Sequence, residues 1–319
     1  MKTQENLVLL APMEGVVDGL MRAILTSINH YDMCITEFIR VVDRLVPKHS
    51  FLKLCPELNT NGKTASGTPI RVQLLGQEPN WMAENALQAI ELGSHGVDIN
   101  FGCPAKAVNK SKGGAVLLKN PELIFKIVNQ VKQSVGHDIQ VSAKIRLGFE
   151  DESLFKENVS AVAAAGANLL AIHARTKTQG YKPPAYWPYI GSIANDTSLP
   201  IVANGEIWNQ QDALQCINES KTSNIMLGRG ALALPNLANV IKKNETPLVW
   251  AELTELLITY SKLELLGDKS FYYSSRIKQW LRYLRLQYPE AELLFQAIKT
   301  LKSKNEIFDA IELHRSISL

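Results

Sequence analysis

Along the chain, short runs rich in Val, Ile and Leu alternate with longer segments whose apolar positions recur at helical spacing. Eight runs stand out as strands: Leu7–Met13, Met33–Arg40, Ile70–Gly76, Gly96–Gly102, Gln140–Gly148, Leu169–Arg175, Pro200–Glu206 and Ser223–Gly230. Their starts lie between 23 and 44 residues apart, which brackets the roughly 30 residues that a strand–helix–strand crossover needs. Amphipathic helices are predicted between them at Trp81–Leu92 after Pro79, Pro121–Val135, Leu154–Ala165 and Asn209–Glu219. The pattern predicts an α/β fold, a closed (β/α)8 TIM barrel. An open doubly wound sheet is built from the same units, so the count of eight is what argues for closure.

The texture changes at Pro247, after which the strand-like runs stop. Only helical periodicity remains, in Trp250–Leu266, Ser274–Tyr288, Ala291–Lys302 and Ile307–Ser316. Two domains are therefore expected, a barrel over residues 1–246 and an all-helical domain over 247–319. The polar stretch Lys242–Pro247 ends the last barrel helix.

Composition narrows the class. Of 319 residues, 46% are hydrophobic and 20% charged, with a formal net charge of +3, which excludes a disordered chain. The N-terminal apolar run Leu7–Ala11 is too short for an export signal. The longest uncharged stretch, Asn158–Ala174, is broken by Gly166, so no membrane span is expected and the protein is placed in the cytoplasm. Cys34, Cys55, Cys103 and Cys216 form no CxxC pair; reduced thiols and no metal are expected.

Barrel enzymes carry their chemistry at the C-terminal ends of the strands. Here those ends present Pro12, Met13 and Glu14; Glu37 and Arg40; Gln73; Asn100 and Cys103; Lys144 and Arg146; His173 and Arg175; Asn204, Gly205 and Glu206; and Gly228 and Arg229. Strand ends enter polar loops anyway, so a single polar residue there says little. Lys144 and His173 say more, because each is flanked by apolar residues and a charge in a barrel mouth needs a partner. The glycine turns after the seventh and eighth runs sit where this architecture commonly holds a phosphate, and Arg229 adds a guanidinium; a plain structural turn is the competing reading. Cys103, between Gly102 and Pro104 and close to the Gly113-Gly114 pair of a candidate lid, is the thiol nominated for chemistry. Cys34 and Cys216 read as small buried hydrophobes.

Six strings in order, LAPMEG at Leu10–Gly15, NFGCPAK at Asn100–Lys106, KIRLG at Lys144–Gly148, HARTKTQGY at His173–Tyr181, NGE at Asn204–Glu206 and MLGRGA at Met226–Ala231, resemble those of the tRNA-dihydrouridine synthases. The resemblance runs the length of the chain. Within the family, CITEFIRVVD and RIKQWLRYLR are most similar to the type that acts on uridine 16. It implies a flavin enzyme that reduces the C5=C6 bond of a D-loop uridine in tRNA, using FMN and, as electron donor, NADPH. By that resemblance Pro12, Met13, Glu14, Gln73, Lys144 and His173 contact FMN, and Asn204, Gly205, Glu206, Gly228 and Arg229 lie at its phosphate. Lys144 would stabilise the anionic reduced flavin, and His173 would add a hydrogen bond or a second charge. The resemblance further implies that hydride passes from flavin N5 to uracil C6 and that Cys103 protonates C5. A thiol of ordinary acidity is protonated at neutral pH, so this needs no special tuning. Asn100 matches a position near the uracil and Tyr181 a substrate contact.

The substrate uridine must leave its stack to reach such a site, and the protein must then hold a large anion. Lys269–Tyr288 carries Lys269, Arg276, Lys278, Arg282 and Arg285 with no acidic residue, interleaved with aromatic residues. An amphipathic helix with a buried aromatic face is the competing explanation, and for the aromatics the stronger one. The resemblance assigns Arg40, Arg276, Lys278 and Tyr283 to tRNA orientation, with Lys299 where an arginine is usual. A monomer is the expectation. The rival functions are a flavin barrel acting on a free pyrimidine, an RNA-binding module without catalysis, and, remotely, a Lys144 Schiff-base aldolase.

Overall fold

A computed structural model of the protein describes residues 6–316; the outermost residues of both predicted domains lie outside that range. The eight runs form eight strands, β1 (Val8–Leu10), β2 (Met33–Arg40), β3 (Ile70–Leu75), β4 (Val97–Asn100), β5 (Val141–Gly148), β6 (Leu169–Thr176), β7 (Ile201–Asn204) and β8 (Ile225–Leu227). They pair in sequence order and β8 closes on β1, Leu9 opposite Met226, so the sheet is a parallel barrel.

The two-residue period of each strand sorts its side chains. Outward residues such as Leu10, Val72, Ile99, Ile145 and Ile172 pack under the surrounding helices in one large core. Inward, Leu9, Ala11, Ile35, Ala171, Val202 and Met226 make a separate apolar cluster inside the barrel. The rest of the interior is polar and cross-linked: Ser142 Oγ donates to Asp98 Oδ1 (2.5 Å), Gln73 Nε2 to Asp98 Oδ2 (2.7 Å) and Asn100 Nδ2 to Gln73 Oε1 (2.8 Å). Buried polar atoms remain satisfied this way, and the chain of bonds rises from Asp98 to the mouth.

Strands β1, β4, β7 and β8 are shorter than the runs predicting them because hydrophobicity does not mark where pairing ends. Gly205 (φ 120°) and Glu206 (φ 53°) turn out of β7, and Gly228 starts the short helix Arg229–Ala233. The helix Lys304–Leu313, capped by Ser303, begins and ends three residues before the predicted Ile307–Ser316, whereas one barrel helix matches its sequence signals. Pro121–Val135 starts behind Asn120, whose side chain accepts from the Leu123 amide, and stops at Gly136.

The tail folds as helices Trp250–Leu266, Tyr273–Leu284, Pro289–Ile298 and Lys304–Leu313. It shares the outer core with the barrel: buried Trp280 packs edge-on to Tyr260 (5.1 Å) and its indole N–H donates to Leu232 O. A buried ion pair joins the helix Gly19–Ser27 to the turn Pro56–Thr60. Arg22 Nε and Nη2 donate to the two carboxylate oxygens of Glu57 (2.7 and 2.8 Å), and Nη1 donates to Val17 O. Among the described residues, no helix is long and apolar enough to cross a membrane and no acidic, His or Cys cluster is arranged for a metal.

Candidate active site

The C-terminal mouth of the barrel opens into a cavity of about 710 Å3, within the size range of small-molecule and cofactor sites. Cys103, all the candidate cofactor contacts, Asn100, Tyr181 and Tyr283 line it. Arg40, Arg276, Lys278 and Lys299 do not: Arg40 bonds Ser111 Oγ outside it, Lys278 bonds Leu301 O and Lys299 bonds Gln296. Arg276 lies between Asp18 (2.8 Å) and Glu264 (2.8 Å) at a second, larger groove between the β1 loop and the tail.

The β4 loop is built around Asn100. Its Oδ1 accepts from the Gly102 amide (2.9 Å) and the Cys103 amide (2.8 Å), which aims the half-buried thiol into the mouth. With Nδ2 held by Gln73, little of the Asn100 amide is left to meet a ligand. The Cys103 carbonyl accepts from Asn109 Nδ2 (2.9 Å) and the Ala115 amide (3.1 Å). Gly114 (φ +66°) sits so near that a Cβ there would come within 2.9 Å of Cys103 O. That glycine therefore serves close packing on the cysteine. Burial pushes the thiol above its ordinary value, and Glu14 adds to the effect, so it is protonated at neutral pH.

Lys144 projects from β5 and donates to Asn204 Oδ1 (3.0 Å), while Asn204 Nδ2 donates to Met226 O (2.8 Å). Burial, with Arg146 beside it, lowers the ammonium from 10.5 to about 8. The unfolded chain then holds this proton more tightly than the folded one. Stability attributable to Lys144 is absent below about pH 8 and rises between there and 10.5. Wild type should gain on Lys144→Met over that interval. Urea midpoints at pH 7 and pH 9.5 check this; a constant gap would show that Lys144 is not desolvated.

His173 is buried, and burial with Arg146 and Lys144 nearby holds it well below the usual imidazole value. It is neutral at pH 7, so of the two readings a hydrogen bond fits and a second charge does not. Arg175 Nη1 lies 3.3 Å from His173 Nε2. A guanidinium only donates, so Nε2 accepts and the ring proton sits on Nδ1.

The β7 and β8 loops meet at Glu206. Its Oε1 pairs with Arg175 (2.9 Å) and with Arg229, and its Oε2 accepts from Trp208 Nε1 (3.1 Å). Arg229 lies between the Trp208 and Tyr181 rings, 5.0 and 5.3 Å from their centroids. The two loops are so close that a Cβ on Gly230 would stand 1.9 Å from Ile207 O. Gly230→Ala should therefore cost about 1–3 kcal/mol and displace the Arg229 turn. Urea denaturation tests it, and wild-type stability would show that the loops part freely.

Trp208, Ile207 and Phe38 also line the cavity although no sequence signal marked them. Arg146, noted only as a strand-end residue, proves central. Its Nε donates to Gly102 O (2.8 Å) and its Nη1 to Thr176 O and Gly180 O, clamping the β4 and β6 loops.

Residues 9–317 match the family model described as dihydrouridine synthase (Dus). The chain is 59% identical to a tRNA-dihydrouridine(16) synthase of Shewanella oneidensis over 96% of this chain and 97% of that one. It is 51% identical to a protein of the same name from Escherichia coli K12, over 96% and 97%. In fold it is similar to histamine dehydrogenase from Rhizobium sp. 4-9 (TM-score 0.57, 13% identity, 80% of this chain and 48% of that one). It is similar also to morphinone reductase in complex with tetrahydroNAD (TM-score 0.52, 11% identity, 76% and 87%).

Proposed function

Because the chain belongs to the dihydrouridine synthase family, we propose that it reduces the C5=C6 bond of uridine 16 in the tRNA D-loop, with FMN in the barrel mouth and NADPH as electron donor. The observation that carries this reading is the gathering, in one cavity, of the Cys103 thiol, the Lys144 amine, the His173 imidazole and two glycine turns beside Arg229.

These residues suit FMN. Gly205 and Gly228 bring backbone close to the cavity, and at Gly228 an added Cβ would meet only Met13 Sδ and Ala11 Cβ, at 3.6 Å or more. Arg229, held by Glu206 and two aromatic rings, adds a fixed cation for the phosphate. Lys144 would stand at the ring system with Pro12, Met13, Glu14, Gln73 and His173 around it. Bound FMN supplies the reducing equivalents.

The protein's own part is positioning and proton supply. Asn100 holds the Cys103 loop so that the thiol hands its proton to C5 of the reduced pyrimidine, and Arg146 fixes the loops on either side. Tyr181, 52% exposed over the mouth and 5.7 Å from the His173 ring, and half-buried Tyr283 would border an everted base. Arg40, Lys278 and Lys299 supply charge around the tRNA. Arg276, already paired with two carboxylates, contributes by docking the tail to the β1 loop.

The decisive experiment incubates the purified, flavin-loaded protein and NADPH with tRNA from a strain lacking dihydrouridine. Dihydrouridine should appear at position 16. Its absence from every tRNA would overturn the reading, and its appearance at another D-loop position would overturn the site assignment alone.

A further inference from the structure

The basic, aromatic-rich segment 269–288 divides sharply in the structure. Tyr273, Trp280 and Tyr288 are buried in the core and Tyr283 borders the cavity, so packing accounts for them. Phe271 and Tyr272 are left over. They are 84% and 59% exposed and stack edge to face on one another, centroids 5.5 Å apart at 87°. Leu266, 86% exposed, ends the preceding helix. Isolated apolar side chains on a surface need no explanation, but an ordered aromatic pair beside a charged groove does.

Tyr272 lines the groove between the β1 loop and the tail, together with Lys53, Lys269, Arg276, Lys278 and Arg282. The carboxylates there are Asp18, Glu264 and Asp268, and the first two are already occupied by Arg276 and Lys269. The groove is thus cationic with an aromatic lip, the combination that holds an unpaired nucleic-acid strand by its backbone and its base faces. It adjoins the cavity: the loop that carries Met13 and Glu14 into the mouth continues through Gly15 and Asp18 into the groove. The helix Tyr273–Leu284 likewise runs from this lip to Tyr283 at the cavity. At 1.5 Å per residue the lip and Tyr283 are roughly 16 Å apart along it, too far for one base to reach both.

We propose that Phe271 and Tyr272 form a stacking platform for a second unpaired tRNA base, distinct from the uracil that enters the cavity. The platform would fix the strand on the far side of the β1 loop while the target base is everted. The proposal rests on the tRNA reading above. Stacking on an aromatic face contributes affinity without releasing counterions, so its signature differs from that of the lysines.

The test measures binding of unmodified tRNA to the full-length protein across a range of salt. Phe271→Ala and Tyr272→Ala should each weaken binding by about ten-fold, with an unchanged slope of log affinity against log salt. Phe271→Trp should restore affinity and Phe271→Leu should not. Lys53→Ala, an exposed cation of the same groove, should reduce the slope by about one. Wild-type affinity in both alanine variants, or in Phe271→Leu, would overturn the platform. So would a dimer in solution that the alanine variants convert to monomers, since the face would then join two copies of the chain. These outcomes are separable from failure of the proposed function, which would show as wild-type protein making no dihydrouridine in tRNA.

Discussion

On the proposed function, Cys103→Ala is expected to lower turnover of tRNA by about 10²–10⁴-fold while leaving the fold and the reduction of bound flavin by the nicotinamide donor intact. The side chain is half-buried in the cavity wall and is not what holds its own loop. That loop is fixed through main-chain atoms of Gly102 and Cys103, bonded to Asn100 Oδ1, Asn109 Nδ2 and the Ala115 amide, and all of these survive the substitution. On the proposed function, what disappears is the proton. Burial and Glu14 raise the thiol above its usual value, so in wild type it stays protonated through neutral pH and the acid-dependent step declines only on the alkaline side. Single-turnover reduction of tRNA by prereduced enzyme isolates that step. Cys103→Ser should fall with alanine, because a hydroxyl is a far weaker acid than a thiol. An alanine variant as fast as wild type would remove Cys103 from the chemistry and leave Asn100 as the organiser of a purely structural loop.

The largest stability effect is expected at a buried pair that lines neither the cavity nor the groove. Glu57→Ala should cost about 3–5 kcal/mol, because it strands the fully buried guanidinium of Arg22 with only the carbonyls of Val17 and Leu54. The double replacement Arg22→Met with Glu57→Leu should recover most of that loss, since desolvation of the pair offsets much of its attraction. Urea midpoints of the two variants decide the matter, and equal destabilisation would mean that the charges themselves stabilise the fold. The site should feel the single variant too. Arg22 anchors Val17 O at the end of the loop that brings Pro12, Met13 and Glu14 to the mouth, so Glu57→Ala should weaken flavin retention as well as stability.

How far the site was legible differs from residue to residue. Lys144 and His173 stood out because a charge or imidazole between apolar neighbours in a strand must face something, and both do line the mouth. Asn100 was legible as a position and not as a job: three residues from Cys103, it turns its carbonyl back on that loop and gives little to a ligand. Trp208 and Phe38 left no trace, since one aromatic residue in a loop or strand looks the same whether it faces a cavity or a core. Phe271 and Tyr272 were indistinguishable from Tyr273 and Trp280 until the tail was packed, because helical spacing gives a face only where the helix has begun, and the helix starts at Tyr273.

The amino-acid sequence by itself determined the eight strand units, the helical tail, the capped helix Pro121–Val135 and the motifs that place the chain in its family. All of these are written in local periodicity, cap residues and short strings. Only the tertiary structure decided that the sheet closes, which inward positions are apolar and which are cross-linked through Asp98, that Glu206 joins Arg175 to Arg229, and that Arg276 is held between Asp18 and Glu264. Those pairings link residues far apart in the chain, and the desolvation that sets the protonation of Cys103, Lys144 and His173 exists only once the barrel has closed around them.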